Sequence, residues 1–386
     1  MHPATPSAVA PAPAPILARS DLLELANFRD TNGHGVSFFF SVESIPDKSH
    51  HKEVVLVRDL VREQLHRFDT KHAPGLAEDL DAVLTLADEI RQSPRYWRIA
   101  YACHRLSVWR KFELPAPKPI RQLHVGERFL LAPMFRAMEF CTPFGVVIFE
   151  RGRARAFVVR GFQVQEIAGR MPKENIALHI RDSRIAWAQH VDQHMEEHVR
   201  AYFKELAAKV RLFLAEEKLH EVIFGCHEFL WGEAEPAFAD FEKGVLIGRF
   251  VPSDYEMSAK AVQEAAYPIF EENRRKRGAA RVQTILEDPA HGRVGVNPVM
   301  EALVEGRVQK LILSRPVEGA VSECGNCGRV QPRTDGPCIF CLNNSLHDLA
   351  ADEGLIRQGV STDAEILTFD RDELSGFTGA AALLRY

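Results

Sequence analysis

Cys324, Cys327, Cys338 and Cys341 are spaced C-x2-C, ten residues, C-x2-C, so four of the seven cysteines fall within eighteen residues. Thiolate sulfur is a soft ligand, and four at this spacing suit a tetrahedral zinc ion. Each C-x2-C makes a tight knuckle, and Gly325, Gly328 and Gly336 allow the turns and the close backbone approach. Four thiolates leave no coordination position open, so the expected zinc is structural rather than catalytic. The short spacer predicts a small ribbon, spanning 322–343, inserted in a larger domain. A redox reading needs only one C-x-x-C dithiol and leaves the second pair unexplained. The other cysteines, Cys103, Cys141 and Cys226, are scattered. An odd total without a secretory signal is expected of a reducing cytoplasm.

Other residues could do chemistry at a distance from this cluster. His194, Glu197 and His198 in "HMEEH" fit the H-x-x-E-H pattern of zinc peptidases. His194 and His198 lie four apart, on one helical face, with Glu197 as the possible base. The plainer reading is a polar edge beside the apolar stripe Val191, Met195, Val199, Tyr202, Leu206, Val210 and Phe213, whose steps of three and four are helical. Arg170, Lys173, Arg181 and Arg184 give the 168–183 loop region a positive tip suited to RNA phosphates. Arg274, Arg275, Lys276 and Arg277 form a second basic run, expected at a helix end, where cations complement the dipole. It could equally touch phosphate. Neither a GxGxxG loop nor a P-loop is present, which argues against an NTPase. Nothing gathers the paired carboxylates that metal-dependent nuclease chemistry needs.

The elements that must position these groups read as α/β throughout. The chain has 386 residues, 46% hydrophobic and 26% charged, with net charge -5, enough for two or three globular domains. No global basic excess points to nucleic acid, so any such contact must come from local patches, and no apolar run is long enough for a membrane span. Residues 1–19 form a Pro/Ala-rich segment expected to be an extended, solvated tail. An N-terminal α/β domain is expected over 20–130, a middle α/β domain over 134–254 and an α/β sandwich over 257–386. The middle domain opens with the hairpin "FGVVIFERGRARAFVVRG". In the third, "NPVMEALVEGRVQKLILS" predicts a helix capped by Asn297, with Pro298 at its first position and Gly306 at its end, followed by a strand. "SLHDLAADEGLI" predicts a further helix and "GAAALLRY" a final strand.

Several of these stretches resemble one family. The helix–Gly–strand unit 297–314, the ending "FTGAAALLRY" and the cysteine insert after "LILS" are similar to the archaeo-eukaryotic peptide release factor and Pelota superfamily, in particular its bacterial branch. The 144–161 hairpin is similar to the start of that family's ribonuclease-H-like middle domain. The resemblance implies three α/β domains, a ribonuclease-H-like middle and a release-factor-like C-terminal domain with a zinc-ribbon insert. It also implies a cytoplasmic factor that docks in the ribosomal A site by tRNA mimicry, with rRNA contacts and a translational GTPase as a possible partner. Two family motifs are missing. Gly-Gly-Gln, which carries peptide release, occurs nowhere in the chain, and the corresponding loop is "AGRMPKENIALHIRDSR". The Asn-Ile-Lys-Ser codon-reading motif is also absent, and "YACHRLS" only partly echoes another such motif. The implied role is therefore occupancy, in hibernation, rescue or quality control. The alternatives are a peptidyl-tRNA hydrolase using another residue of the 168–183 loop and, more distantly, the His194/Glu197/His198 metallopeptidase.

Overall fold

The structure is a computed structural model that describes residues 17, 19–41, 51–68, 73–89, 96–115, 118–172, 188–374 and 376–386. Side chains of 51–53, 87–89 and 188–196 are outside the described set, as are nearly all of the 1–19 tail and most of the 168–183 loop. The chain is mixed α/β and divides into two compact units. One comprises 1–138, 289–368 and 379–386; the other comprises 139–288 and 369–378.

In the first unit, α1 (Arg19–Asn27) leads into β1 (Gly35–Phe40), followed by α2 (His51–Arg67) and α3 (Pro74–Glu89). β2 (Tyr96–Cys103), β3 (Val108–Pro115) and β4 (Arg121–Gly126) complete an antiparallel sheet in the order β3-β2-β1-β4. All six residues of β1 are buried. Val36, Phe38 and Phe40 pack with Val57, Val61, Leu80 and Val83 of the two helices. On the alternate positions, the Ser37 hydroxyl accepts the Leu130 N–H at 3.0 Å, and Phe39 meets Tyr101 edge-on. A strand covered on both faces therefore reads as a continuous apolar run rather than an alternating one.

The second unit is built on the 144–161 hairpin. α4 (Ala132–Phe140) precedes β5 (Phe144–Glu150), β6 (Arg153–Arg160) and β7 (Gln163–Glu166); then come α5 (Ala188–Glu216), β8 (Val222–Gly225), α6 (Glu228–Phe238) and β9 (Leu246–Phe250). The sheet order is β7-β6-β5-β8-β9, antiparallel across β7, β6 and β5 and parallel across β5, β8 and β9. This mixed order agrees with the ribonuclease-H-like expectation. One face buries Val147 and Phe149 against Tyr202, Leu206, Val210 and Phe213 of α5, with Val199 at the edge, the described part of the expected stripe. The other buries Val146 and Ile148 against Val262, Ala266 and Phe270 of α7 (Ala259–Glu287). The helix expected to open the third block thus completes the middle sheet's second layer, because its four-residue apolar spacing matches that face.

The remaining elements belong to the first unit, except for the last part of β15. β10 (Gly292–Val294), α8 (Val296–Val304) and β11 (Val308–Arg315) come first. β12 (Ala320–Cys324), β13 (Val330–Gln331) and β14 (Leu346–Ala350) form a three-stranded sheet around the insert. α9 (Ala351–Ser361), β15 (Glu365–Asp370) and β16 (Gly379–Leu384) follow, giving a second sheet in the order β10-β16-β11-β15. Two local expectations are corrected. "SLHDLAADEGLI" is not all helix: Leu346–Ala350 pairs with β12, from Cys324↔Leu346 to Ala320↔Ala350, and the helix starts at Ala351. Tertiary pairing overrides helix propensity there. Asn297 is not the cap of α8, whose N-cap is Gly295; the Asn297 side chain instead accepts the Arg333 N–H at 3.1 Å.

Candidate metal centre

The two cysteine knuckles have the same backbone construction. In the first, the Gly328 N–H donates to the Cys324 carbonyl at 2.8 Å, and the Cys324 N–H donates to the Arg329 carbonyl at 3.0 Å. In the second, the Leu342 N–H donates to the Cys338 carbonyl at 2.8 Å, and the Cys338 N–H donates to the Asn343 carbonyl at 2.9 Å. Both turns need a left-handed residue, Gly328 at φ 71° and Leu342 at φ 59°. Glycine takes that conformation freely, whereas leucine carries a penalty of roughly 1–2 kcal/mol. The sequence pointed to Gly336 for the second turn. In the structure, the Gly336 N–H donates to Thr334 Oγ1 in the spacer, and Leu342 makes the turn.

This construction brings the four sulfurs within 4.8 Å of one another. Cys324 and Cys341 Sγ are 3.6 Å apart, as are Cys327 and Cys338 Sγ. A tetrahedron of thiolates about zinc has edges of about 3.8 Å, from a Zn–S bond near 2.3 Å, so the spacing fits the metal. Cys324 and Cys338 are buried, Cys341 is half-buried and Cys327 is exposed. The Asn326 amide and the Asn343 N–H pull the Cys341 thiol down to about 6. Desolvation, then hydrogen bonding with the other thiols, pushes Cys327 up to about 12. Bound zinc would tie the two knuckles together and deprotonate the remaining thiols.

Residues from the first 130 positions grip the first knuckle. Arg29 Nη2 donates to the Gly325 carbonyl at 2.8 Å. Arg128 Nη2 donates to the Gly328 carbonyl at 2.9 Å, while its Nε donates to Glu323 at 2.7 Å. Close approach is required at Gly325, where a Cβ would stand 2.5 Å from Ser345 Oγ. Behind the knuckle, α9 makes two further links. Glu353 accepts the Leu131 and Ala132 N–H groups, each at 2.8 Å, at the start of α4. Arg357 donates to the Ala26 and Phe129 carbonyls. Sequence reasoning missed Arg29, Arg128, Glu323, Glu353 and Arg357. Most of their partners are about 100 or more residues away, so no local pattern marks them.

The basic candidates are dispersed by the fold. Arg170 pairs with Glu216 and, at 3.4 Å, with Glu217. Lys173, Arg181 and Arg184 lie outside the described residues. The 274–277 run is inside α7, ten residues short of its end, which corrects the expected helix terminus. Arg274 is buried among Glu139 at 3.2 Å, Glu271 at 3.3 Å and Glu373 at 3.0 Å, and it stacks over Phe369. Arg277 pairs with Glu221, and Arg275 and Lys276 share Glu272. Glu197 and His198 are exposed on α5, while the side chain of His194 is outside the described residues.

A cleft of about 420 Å3 lies where the 168–183 loop leaves the middle sheet, lined by Arg153, Glu166, Gly169, Met171, Tyr255 and Glu256 among others. Arg155, also in its wall, is held by Glu166 and by the Tyr255 and Met257 carbonyls. No helix among the described residues is long and apolar enough to cross a membrane.

Residues 130–271 match the model of bacterial archaeo-eukaryotic release factor family 10. No curated protein matches the chain. Among solved structures, Archaeoglobus fulgidus Pelota is 16% identical, with 96% of this chain and 92% of that one covered and a TM-score of 0.36. Saccharomyces cerevisiae Dom34, a translation termination-like factor interacting with Hbs1, is 12% identical over 96% and 93%, with a TM-score of 0.39. The archaeal termination factor aRF1 is 16% identical over 95% and 97%, with a TM-score of 0.25. From α4 into α7 the chain is similar to bacterial archaeo-eukaryotic release factor family 10, and its fold is mixed α/β.

Proposed function

We propose that this protein is a cytoplasmic ribosome-binding translation factor that occupies the A site by tRNA mimicry and acts without peptide release, in hibernation, rescue or quality control. One observation carries the reading. The family match spans the region that in release factors presents the catalytic loop, yet Gly-Gly-Gln is absent from all 386 residues. The three domains, 20–130, 134–254 and 257–386, would span the site as the arms of a tRNA do. Lys173, Arg181 and Arg184, with Arg170 at the loop's base, would meet rRNA phosphates. Arg275 and Lys276 are a weaker candidate pair, and Arg274 and Arg277 are committed to glutamates within their own unit. Cys324, Cys327, Cys338 and Cys341 would hold a structural zinc. A translational GTPase is the proposed partner of the C-terminal domain.

The test uses purified ribosomes carrying peptidyl-tRNA in the P site and an empty A site. The protein is expected to bind, to block entry of aminoacyl-tRNA and to leave the peptide attached. Release abolished by substitutions in 168–183 would instead establish the peptidyl-tRNA hydrolase reading. Equal tRNA entry with and without the protein would rule out A-site occupancy.

A further inference from the structure

A cleft of about 290 Å3 opens between α1, the first knuckle and α9, and three guanidinium groups line it, those of Arg128, Arg329 and Arg357. Arg128 is fully engaged, by Glu323 and by the Phe28 and Gly328 carbonyls. Arg357 is only 4% exposed, yet among the described residues its hydrogen bonds go to carbonyls alone, and its buried Nε has no hydrogen-bond partner there. The carboxylate one turn earlier, Glu353, accepts two backbone N–H groups instead. Arg329 is exposed and lies over the Phe340 ring at 4.8 Å, and no carboxylate pairs with it among the described residues. Among the described residues, the carboxylates that act on Arg357 are Glu353 and Glu323, two against three guanidinium groups. A buried arginine without a carboxylate hydrogen bond is unusual, because burying charge is costly unless it is paired. The segment before α1 cannot supply the missing charge, since residues 1–18 contain no Asp or Glu.

We propose that this cleft binds a phosphate oxyanion, held by Arg329 from the knuckle and Arg357 from α9, with Asn27 and Gln358 as neutral partners in its wall. A planar carboxylate is satisfied by a single guanidinium fork. Two guanidinium groups from different elements suit a tetrahedral anion with three or four acceptor oxygens. The cleft's volume fits a phosphate with little more than its sugar. The phosphate could belong to a free monoester or to a nucleic-acid backbone, and the test separates these sources.

Calorimetric titration of the full-length protein with inorganic phosphate, at ionic strength held constant with chloride, should show saturable binding at one site. Acetate should bind at least tenfold more weakly. Arg329→Ala should weaken phosphate binding roughly tenfold or more, the scale of one charge-assisted hydrogen bond. Gln358→Glu, which places a carboxylate in the cleft, should abolish it. Both positions are surface-facing, and unchanged thermal melting of both variants would show that folding is intact. Lys260→Ala, on the surface of the other unit, should bind as the parent does. Displacement of phosphate by a short RNA lacking terminal phosphates identifies the source as backbone; displacement by adenosine monophosphate alone identifies it as a free monoester. Absence of saturable binding, equal binding of acetate, or phosphate binding unchanged in both cleft variants would overturn the proposal.

Discussion

The cysteine insert and the 274–277 basic run are the two densest chemical clusters in the chain, and the fold treats them in opposite ways. The insert's four thiols converge because the geometry is local: each knuckle closes on itself through two backbone hydrogen bonds, and one short sheet joins the pair. The basic run has no such closure. Arg274 turns inward to glutamates 135 and 99 positions away as well as one three positions away, Arg277 reaches back to Glu221, and Arg275 and Lys276 pair with the local Glu272. Ligand spacing can therefore define a site by itself, whereas a run of like charges acquires its role from distant parts of the chain.

The comparison breaks most sharply at the metal. Protein purified without chelator should carry one zinc per chain by atomic spectroscopy, and Cys324→Ser with Cys338→Ser should carry none. The double variant should lose the protection of the 324–346 amides from hydrogen exchange, while β11 and β16 stay protected. A zinc that persists in the double variant would contradict the assignment.

Arg274→Ala should have the next largest effect. It leaves three largely covered glutamates around a missing cation, and breaking such a cluster destabilises by about 3 kcal/mol. The loss should be read as a lower urea midpoint for the second unit. Lys276→Ala, next but one in the same run, should stay within about 0.5 kcal/mol of the parent. Equal effects at the two positions would erase the distinction between buried and solvated members of the run.

Acidity separates two buried carboxyls of the first unit. Burial pushes the Glu353 carboxyl above its ordinary range, against the Leu131 and Ala132 N–H groups. The folded state then holds this proton more tightly than the unfolded chain, so this contribution is largest at low pH and is lost as pH rises above the ordinary glutamate value. At Asp30 burial also opposes ionisation, but the Arg105 hydrogen bond and the Asn32 and His34 N–H groups outweigh it and hold the carboxyl low. Its contribution is present above the ordinary aspartate value and disappears as pH falls through the lowered one. Glu353→Gln should therefore flatten the stability slope above pH 5, and Asp30→Asn the slope below pH 4, in urea midpoints taken across pH. Matching slopes in the two variants would contradict both assignments.

The smallest effect is expected at the second knuckle. Leu342→Gly removes a left-handed leucine that is also exposed, which should raise the stability of the zinc-bound insert by about 0.5–1 kcal/mol. A loss of stability would mean that the Leu342 side chain contributes more than its backbone conformation costs.

Much of this was legible in the sequence, for physical reasons that differ by element. The 144–161 hairpin could be read because two apolar runs flank an Arg-Gly-Arg turn, and the α5 stripe because burial of one helix face imposes steps of three and four. The convergence of the four thiols could be read because four cysteines at knuckle spacing have few other uses. β14 could not, because Leu346–Ala350 has helix-compatible residues and is a strand only by pairing with β12. The role of Leu342 was hidden for a related reason: nothing in a leucine signals positive φ. Arg128 and Arg357 were hidden because their contacts exist only once the first and last thirds of the chain fold together.

The central claim is tested most directly by sedimenting tagged protein from growing and stationary-phase cells through sucrose gradients at two salt concentrations. Co-migration with 70S or 50S particles that weakens at the higher salt is the expected result, since phosphate contacts are released by counterions. Protein that stays at the top of the gradient in both growth states and both salts would contradict the ribosomal role.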